Sequence, residues 1–290
     1  VDKDLRDIPF FKMTGSGNDF VFFDGRVADV ALLTQAEVIR AICHRRNGIG
    51  ADGLVVLVPT RAEDGAADLS PGAAATDAQI LYFNSDGTPA DLCGNATLCS
   101  TALAAQLGLA DPRGMRLATP SGAIASRLVG LLPEIAVPPV TVVEPSAAID
   151  LVAGEQRVGF AIVGIPHLVL LCDDADAVDV AGRGPSLRWH PAGGRTGANV
   201  NWVSARPDGT WRYRTFERGV EGETLACGTG ALATAILLQQ WGLSGPSARI
   251  LTSSGRTLEV TLQRSEAGIH PSLRGEGRVV FTGTIGDLGT

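Results

Sequence analysis

Cys93-Gly-Asn-Ala-Thr-Leu98 and Cys227-Gly-Thr-Gly-Ala-Leu232 open two copies of one pattern. The first continues through Leu103, Gln106, Gly108 and Leu109, the second through Leu237, Gln240, Gly242 and Leu243, at a constant offset of 134. Thr119-Pro-Ser-Gly122 follows the first copy much as Thr252-Ser-Ser-Gly255 follows the second, and Phe83-Asn-Ser-Asp-Gly87 precedes the first as Phe216-Glu-Arg-Gly219 precedes the second. A repeat this long marks a duplicated domain, not a solenoid of short units. In each copy an aromatic-containing extended run, Ile80 to Phe83 or Trp211 to Phe216, leads into a polar loop. A helix follows, opening at the cysteine and broken at Gly108 or Gly242. Ala231 to Leu238 is apolar all round except for Thr234, the signature of a helix buried on every side. Each domain is therefore expected to wrap a sheet around a central helix whose N-terminus carries the cysteine.

Outside the repeat, Phe20 to Phe23, Leu54 to Val58, Ile124 to Val129 and Leu168 to Leu171 read as short strands, and Val38 to Arg46 as a helix. Pro133 to Pro145, with its four prolines, is the expected linker, and Pro59 to Ala75 a small polar loop without chemistry. At 290 residues the chain holds one large domain or two small ones. A net charge of −7 with no basic run argues against a nucleic-acid surface. The longest apolar stretch, Gly159 to Cys172, is interrupted at Pro166-His167 and falls short of the ~18 residues of a spanning helix. With only Lys3 and Lys12 present, a pyridoxal-phosphate Schiff base has Lys12 as its one realistic anchor. Five cysteines are too few and too scattered for a secreted disulfide framework. Val1 to Pro9 carries no apolar signal core. These features lead us to expect a cytoplasmic protein with reduced thiols.

A helix N-terminus presents free N–H groups and partial positive charge. It favours thiolate over thiol and binds carboxylates. Gly94 and Gly228, directly after the cysteines, leave room for a ligand to approach the backbone. Two such ends could hold one carboxylate while one thiolate takes a proton from carbon and the other thiol returns one to the opposite face, inverting a stereocentre without a cofactor. A lone cysteine is ordinarily a small buried hydrophobe, and Cys43, Cys99 and Cys172 are read that way. Retention of Cys-Gly at both helix starts is what sets Cys93 and Cys227 apart. A Cys93–Cys227 disulfide is a further reading. Zinc fits poorly, because Cys93 and Cys99 lack the short ligand spacing and no His cluster accompanies them. Gly48-Ile-Gly-Ala-Asp-Gly53 matches G-x-G-x-x-G but follows a helix-like segment and opens an apolar run, the reverse of a dinucleotide site.

From Phe11 to its end the chain resembles the diaminopimelate epimerases. The motifs are Phe11-Lys-Met-Thr-Gly-Ser-Gly-Asn-Asp-Phe20, Arg45-Arg-Asn-Gly-Ile-Gly-Ala-Asp-Gly53, Phe83-Asn-Ser-Asp-Gly87, Cys93-Gly-Asn95, Pro166-His167, Asn199-Val200, and Glu217-Arg-Gly219 through Glu223-Thr-Leu-Ala-Cys-Gly-Thr-Gly230. The resemblance implies a two-domain, pseudo-twofold α+β fold with its active site in an interdomain cleft. It implies interconversion of LL- and meso-diaminopimelate by two bases, without metal or cofactor, and a homodimer. We divide the chain into 1–135 with 275–290, carrying Cys93, and 136–274, carrying Cys227.

By the same resemblance, Cys93 and Cys227 correspond to the acid–base pair, and His167 and Glu217 to the groups that tune the thiols. Gly94, Asn95, Gly228 and Thr229 correspond to the cradle for the reacting carboxylate, while Asn18, Asn84, Asn199, Glu217 and Arg218 correspond to the binders of the substrate's charged ends. Taken singly, each has a plainer reading: His167 as a core histidine, Glu217-Arg218 as a solvated pair, the asparagines as turn formers.

Three departures bear on substrate choice. Ile165 stands in Gly164-Ile-Pro-His167 where the family has Asn, Leu98 stands where it has Arg, and Glu221 is inserted between Arg218 and Gly222. The alternatives are a racemase of the same fold acting on another amino acid, such as histidine, and a non-catalytic amino-acid-binding protein. A proline-racemase-like enzyme, which usually has His at the place of Asn95, fits less well, as do a phenazine-type isomerase, which relies on carboxylate chemistry, and a thiol oxidoreductase.

Overall fold

Ser16 and Gly17 take positive φ, 53° and 117°, which is the backbone a two-residue hairpin requires. They join β1 (Pro9–Gly15) to β2 (Asn18–Asp24) in antiparallel register. The structure is a computed structural model describing residues 5–60, 76–90 and 93–288. Most of the Pro59–Ala75 loop, and Lys3, lie outside the described residues. The chain divides into two units, Val1–Ile135 with Glu276–Thr290 and Ala136–Gly275.

In the first unit the short α1 (Val30–Leu33) and α2 (Ala36–Cys43) lead from β2 to β3 (Gly53–Pro59), which lies parallel to it. Parallel neighbours need such a crossover. β4 (Ala78–Asn84) runs antiparallel to β3, and α3 (Gly94–Gln106) crosses over to β5 (Met115–Thr119), parallel to β4. β6 (Gly122–Val129) and β7 (Leu132–Ala136) add an antiparallel meander, and the C-terminal strand Arg278–Thr284 returns to pair with β1.

Alternate residues of β2 and β3 face two cores. Phe20, Phe22, Val55 and Leu57 pack with α3, whereas Val21, Phe23, Leu54 and Val56 pack with Leu33, Ile39 and Ile42 of α1 and α2. A strand buried on both faces reads as a continuous apolar run, as Phe20 to Phe23 does. The polar residues of the buried helix α3 satisfy themselves locally: Thr97, Ser100 and Thr101 hydroxyls donate to the carbonyls of Cys93, Ala96 and Thr97 at 2.8–2.9 Å.

The second unit repeats this plan. β8 (Val143–Glu144), β9 (Glu155–Val163) and β10 (Ile165–Cys172) are antiparallel. α4 (Val180–Arg188) crosses to β11 (Asn199–Ala205), parallel to β10. β12 (Trp211–Glu217) is antiparallel to β11, and β13 (Gly222–Thr224) hangs on β12 as a short hairpin arm. α5 (Gly228–Gln240) crosses to β14 (Ser247–Leu251), parallel to β12, and β15 (Thr257–Ser265) and β16 (Gly268–Arg274) close the meander.

With Arg278–Thr284 as β17, the strand orders are β17-β1-β2-β3-β4-β5-β6-β7 and β8-β9-β10-β11-β12-β14-β15-β16. In both, the third and fourth strands are parallel, and so are the fifth and sixth. The repeat read from two helix starts is thus a repeat of topology. Its first strand comes from the chain's end in one copy and precedes the other strands in the other copy. Gly275 falls in the second unit, not with the returning segment.

Two local expectations need correction. The helix read over Val38 to Arg46 runs Ala36–Cys43. His44 turns extended, and the N–H groups of Ile49 and Gly50 take the Ile42 carbonyl that a continuing helix would have used. The two units do divide within Pro133 to Pro145, but the segment is not free chain, since β8 and all but the first residue of β7 fall within it and Val140 bridges to Ile269. The G-x-G-x-x-G segment lies between α2 and β3 as the sequence order demands.

Candidate functional site

Both singled-out cysteines are helix N-caps with nearly the same backbone, φ −130° and ψ 117° at Cys93, φ −127° and ψ 113° at Cys227. Gly94 and Gly228 are the first helical residues, so the unbonded N–H groups of the first turn belong to the residues after each thiol.

In the first unit Cys93 borders a depression lined by Ile80, Tyr82, Ala96, Thr97 and Thr119. Asn95 is almost fully buried, and its Nδ2 donates to Asn18 Oδ1 at 2.6 Å. Asn18 Nδ2 in turn donates to Asp52 Oδ2 at 3.1 Å. These two bonds fix which end of each amide points where: Asp52 can only accept, so Asn18 turns its oxygen to Asn95. Asn95 Oδ1 is left buried without a hydrogen bond among the described residues. Asp52 is held by Arg45 at 2.6 Å, and Arg45 also grips Asp19, to which Lys12 donates at 2.5 Å. The Lys12 ammonium, which also donates to the Gly50 carbonyl, is therefore built into this network. Asn84 closes the turn after β4, donating to Thr88 Oγ1 at 3.1 Å and accepting from the Tyr82 hydroxyl at 3.4 Å. Burial, and next the adjoining Cys93, push the Tyr82 phenol well up, so it remains a donor.

In the second unit Cys227 Sγ has two N–H donors and a hydroxyl beside it. Gly230 N–H approaches at 3.4 Å, the Thr229 hydroxyl at 3.5 Å and Asn199 Nδ2 at 3.7 Å. The two N–H groups favour charge on sulfur over the neutral thiol, whereas between the Thr229 hydroxyl and the sulfur either can donate. Asn199 is oriented by its other end, whose Oδ1 accepts the Arg218 N–H at 2.7 Å. Glu217, the last residue of β12, accepts from the Thr224 hydroxyl and shares a hydrogen bond with Cys227. Burial raises its carboxyl, with those two hydrogen bonds pulling the other way. Arg218 Nη1 donates to Thr196 Oγ1 at 3.1 Å. Glu217 and Arg218 are thus both part-buried with separate partners, not a solvated pair.

His167 lies fully buried on β10, in register with Asn199 on β11. Its tautomer follows from Asn201. Asn201 Oδ1 accepts from the Tyr213 hydroxyl at 2.7 Å and Thr215 Oγ1 at 3.0 Å, so its amide donates, to the Leu168 carbonyl at 2.8 Å and toward His167 Nδ1 at 3.4 Å. His167 Nδ1 is the acceptor and the ring proton sits on Nε2, which is buried without a hydrogen bond among the described residues.

Burial pulls the imidazole down to about 3, the Arg218 charge adds to this, and the Val163 carbonyl opposes it. A histidine depressed in the fold contributes stability that is complete above its ordinary value near 6.5 and is lost as pH falls toward 3. Between pH 7 and pH 5 the unfolding free energy should drop by about 2 kcal/mol more in the native protein than in His167→Asn, as measured by denaturant titration at both pH values. Equal drops would show that the ring is not held neutral.

The other thiols are packing groups. Burial pushes Cys43 and Cys172 up to about 12 and Cys99 higher still. Leu98 is fully buried, so the place of the family's Arg is filled here by core. Ile165 opens β10, half-buried. The sequence reading missed Asp52, Tyr82, Asn201 and Tyr213. One signal was there, since Tyr82 and Tyr213 are the chain's only tyrosines and each abuts a candidate cysteine.

The diaminopimelate epimerase family profile matches residues 10–130 and 160–276. The diaminopimelate epimerase of Gemmatimonas aurantiaca is 62% identical over 288 residues, covering 96% of this chain and 99% of that protein. That of Aquifex aeolicus is 33% identical over 289 residues, covering 96% and 98%. Among solved structures, a phenazine biosynthesis protein of the PhzF family from Bacillus anthracis matches with a TM-score of 0.67 at 13% identity, over 97% of this chain and 99% of that one. A hydroxyproline epimerase from Agrobacterium vitis matches with a TM-score of 0.61 at 19% identity, over 96% and 92%. At such identities the likeness is one of fold.

Proposed function

The chain belongs to the diaminopimelate epimerase family, and from that premise we infer that it interconverts LL- and meso-2,6-diaminopimelate, a step of lysine and peptidoglycan precursor synthesis, with Cys93 and Cys227 as the two bases. The observation that carries the residue assignment is Cys227 Sγ at a helix N-terminus with N–H donors from Gly230 and Asn199, together with the matching N-cap geometry of Cys93. In this reading one cysteine, as thiolate, removes the α-proton. The negative charge passes into the α-carboxylate, where N–H groups at Gly94, Asn95, Gly228 and Thr229 stabilise it. The opposite thiol then protonates the other face, and the two cysteines leave the cycle with their protonation states exchanged.

Glu217, a raised carboxyl sharing a hydrogen bond with Cys227, sets how readily that sulfur gives up its proton. His167, neutral and protonated on Nε2, contributes as a donor and not as a base. Asn18, Asn84, Asn199, Glu217 and Arg218 receive the substrate's charged ends, with Arg218 for a carboxylate. No metal or cofactor enters this scheme. The assembly is a homodimer, and the cytoplasm is the compartment in which both thiols stay reduced.

A second reading keeps the chemistry and changes the substrate: Ile165 offers no side-chain hydrogen bond where the family has Asn, and a ligand group left unpaired there costs about 1–3 kcal/mol. Incubating freshly reduced protein with LL-diaminopimelate in D2O, with lysine, histidine and proline in parallel, tests both. Meso product carrying deuterium at the inverted carbon is the expected result. Exchange on another amino acid alone would move the assignment to that substrate, and exchange on none would overturn it.

A further inference from the structure

The inserted Glu221 makes a four-residue turn between Glu217 and Gly222, the last paired residues of the β12–β13 hairpin. The turn is closed by the Glu221 N–H on the Glu217 carbonyl at 2.8 Å. Glu221 sits at φ 55°, a conformation that costs a residue with a side chain and persists only where its surroundings hold it. Its carboxylate supplies the hold. Glu221 Oε1 accepts from Gly219 N–H at 3.0 Å, within its own turn, and from Arg188 Nε and Nη2 at 3.2 and 3.1 Å.

Arg188, at the end of α4, is only 3% exposed, and a buried guanidinium needs a partner for its charge. Its Nη1 donates to the Thr196 carbonyl at 3.0 Å, and it stacks on Trp189 at 4.1 Å. Gly197 has been left without a side chain to admit it, since a Cβ there would lie 2.0 Å from Nη1. Arg188 therefore ties together two segments, the turn bearing Glu221 and the loop bearing Thr196. Arg218 is spanned between them, with its backbone in the turn and its Nη1 on Thr196 Oγ1 at 3.1 Å.

We propose that Arg188 and Glu221 form a latch that fixes the Arg218 turn and so sets selectivity for the substrate's distal carboxylate, the one remote from the reacting carbon. The proposal rests on the epimerase reading given above. With no side-chain amide at Ile165, more of the distal recognition falls on the Arg218 guanidinium, whose position the latch fixes in advance. Neither Arg188 nor Glu221 touches substrate; both act through Arg218 and are positioning residues.

Glu221→Gly is the informative variant, because glycine accepts φ 55° without strain and only the carboxylate is removed. KM for diaminopimelate should rise about tenfold or more, as for a charged hydrogen bond no longer held in place, with kcat within about twofold. Glu221→Gln, which keeps the shape and removes the charge, should fall between. Amide exchange at 217–222, followed without substrate, should quicken in Glu221→Gly. Quickened exchange with unchanged KM would overturn the latch as a selectivity device and leave a structural tie. A fall in kcat matching the fall in kcat/KM would overturn it in favour of a role at the reacting carbon. Failure of the unmodified protein to act on diaminopimelate would overturn the parent reading, and the latch with it.

Discussion

Cys93→Ala and Cys227→Ala should each abolish stereoinversion, with kcat lower by at least about 10²–10⁴-fold, the range a positioned acid or base supplies. Each should retain a different partial reaction. A two-base mechanism assigns one face of the α-carbon to each sulfur. With Cys93 removed, Cys227 can still take and return a proton on its own face, so one stereoisomer should gain solvent deuterium without inverting. Cys227→Ala should do the same for the opposite configuration. A single-base mechanism, in which the substrate turns over beside one cysteine, predicts instead that one variant is dead to both isomers and the other keeps full inversion. Deuterium incorporation into LL- and meso-diaminopimelate, resolved by chiral chromatography and mass spectrometry, separates the two.

The variants should fold. Cys93 caps α3 with its backbone carbonyl, bonded to Thr97 N–H at 2.9 Å, and each substitution leaves the other buried side chains around α3 and α5 in place. Cys227→Ala also removes the acceptor for Gly230 N–H, a cap loss of about 1 kcal/mol. Cys227→Ser restores an acceptor there. A Cys227→Ser protein with native stability and no inversion would tie the loss to proton transfer at sulfur and not to the cap.

Why the cysteines and central helices are legible in the sequence while much of the surrounding site is not is a matter of interaction range. A helix start and its breaker are local: Cys93 to Gly108 and Cys227 to Gly242 each fit within a few turns, and an all-apolar helix body has to be buried. Duplication then supplies internal support that a lone cysteine lacks. The parallel strand pairs are not legible, because pairing of β2 with β3 or β12 with β14 is decided by where a crossover helix returns the chain.

Side-chain networks lie further out of reach. Asp52 acts on Asn18 across 34 positions and Asn95 on Asn18 across 77, and neither contact follows from a local pattern. Asp52 stands in plain view inside Gly48-Ile-Gly-Ala-Asp-Gly53, a segment whose element order excludes a nucleotide motif without pointing to any other role. The glycines there serve packing: a Cβ on Gly48 would fall 2.0 Å from the Ala41 carbonyl. The end of α2 is overrun for a related reason, because Arg45 and Arg46 favour helix in themselves. Arg45 is instead drawn onto Asp19 and Asp52.

Close packing at the start of α5 gives a large expected effect on stability. Gly230 is the third residue of α5, and a Cβ placed there would stand 2.1 Å from the Tyr213 hydroxyl and 2.4 Å from Asn201 Oδ1. Neither neighbour has room to give. Tyr213 and Asn201 are both fully buried, and the amide of Asn201 is engaged at both ends, with Tyr213, Thr215 and the Leu168 carbonyl. Gly230→Ala must therefore break the Tyr213–Asn201 bond or push α5 outward. Overpacking of about 1–3 kcal/mol and a buried polar pair left unsatisfied at about 1–3 kcal/mol together predict a loss of about 2–6 kcal/mol in denaturant unfolding. Moving α5 also withdraws Gly230 N–H from Cys227, so kcat should fall in the same variant.

Two further substitutions isolate the cause. Gly245→Ala, at a glycine whose Cβ would meet nothing within 4 Å, should change stability by less than about 1 kcal/mol. Tyr213→Phe clears the nearer of the two colliding atoms, so Gly230→Ala combined with Tyr213→Phe should be more stable than the sum of the single changes predicts, by about 1 kcal/mol or more. Strict additivity would mean that the alanine is accommodated by movement of the helix, and that the hydroxyl of Tyr213 does not set the position of the Cys227 cap.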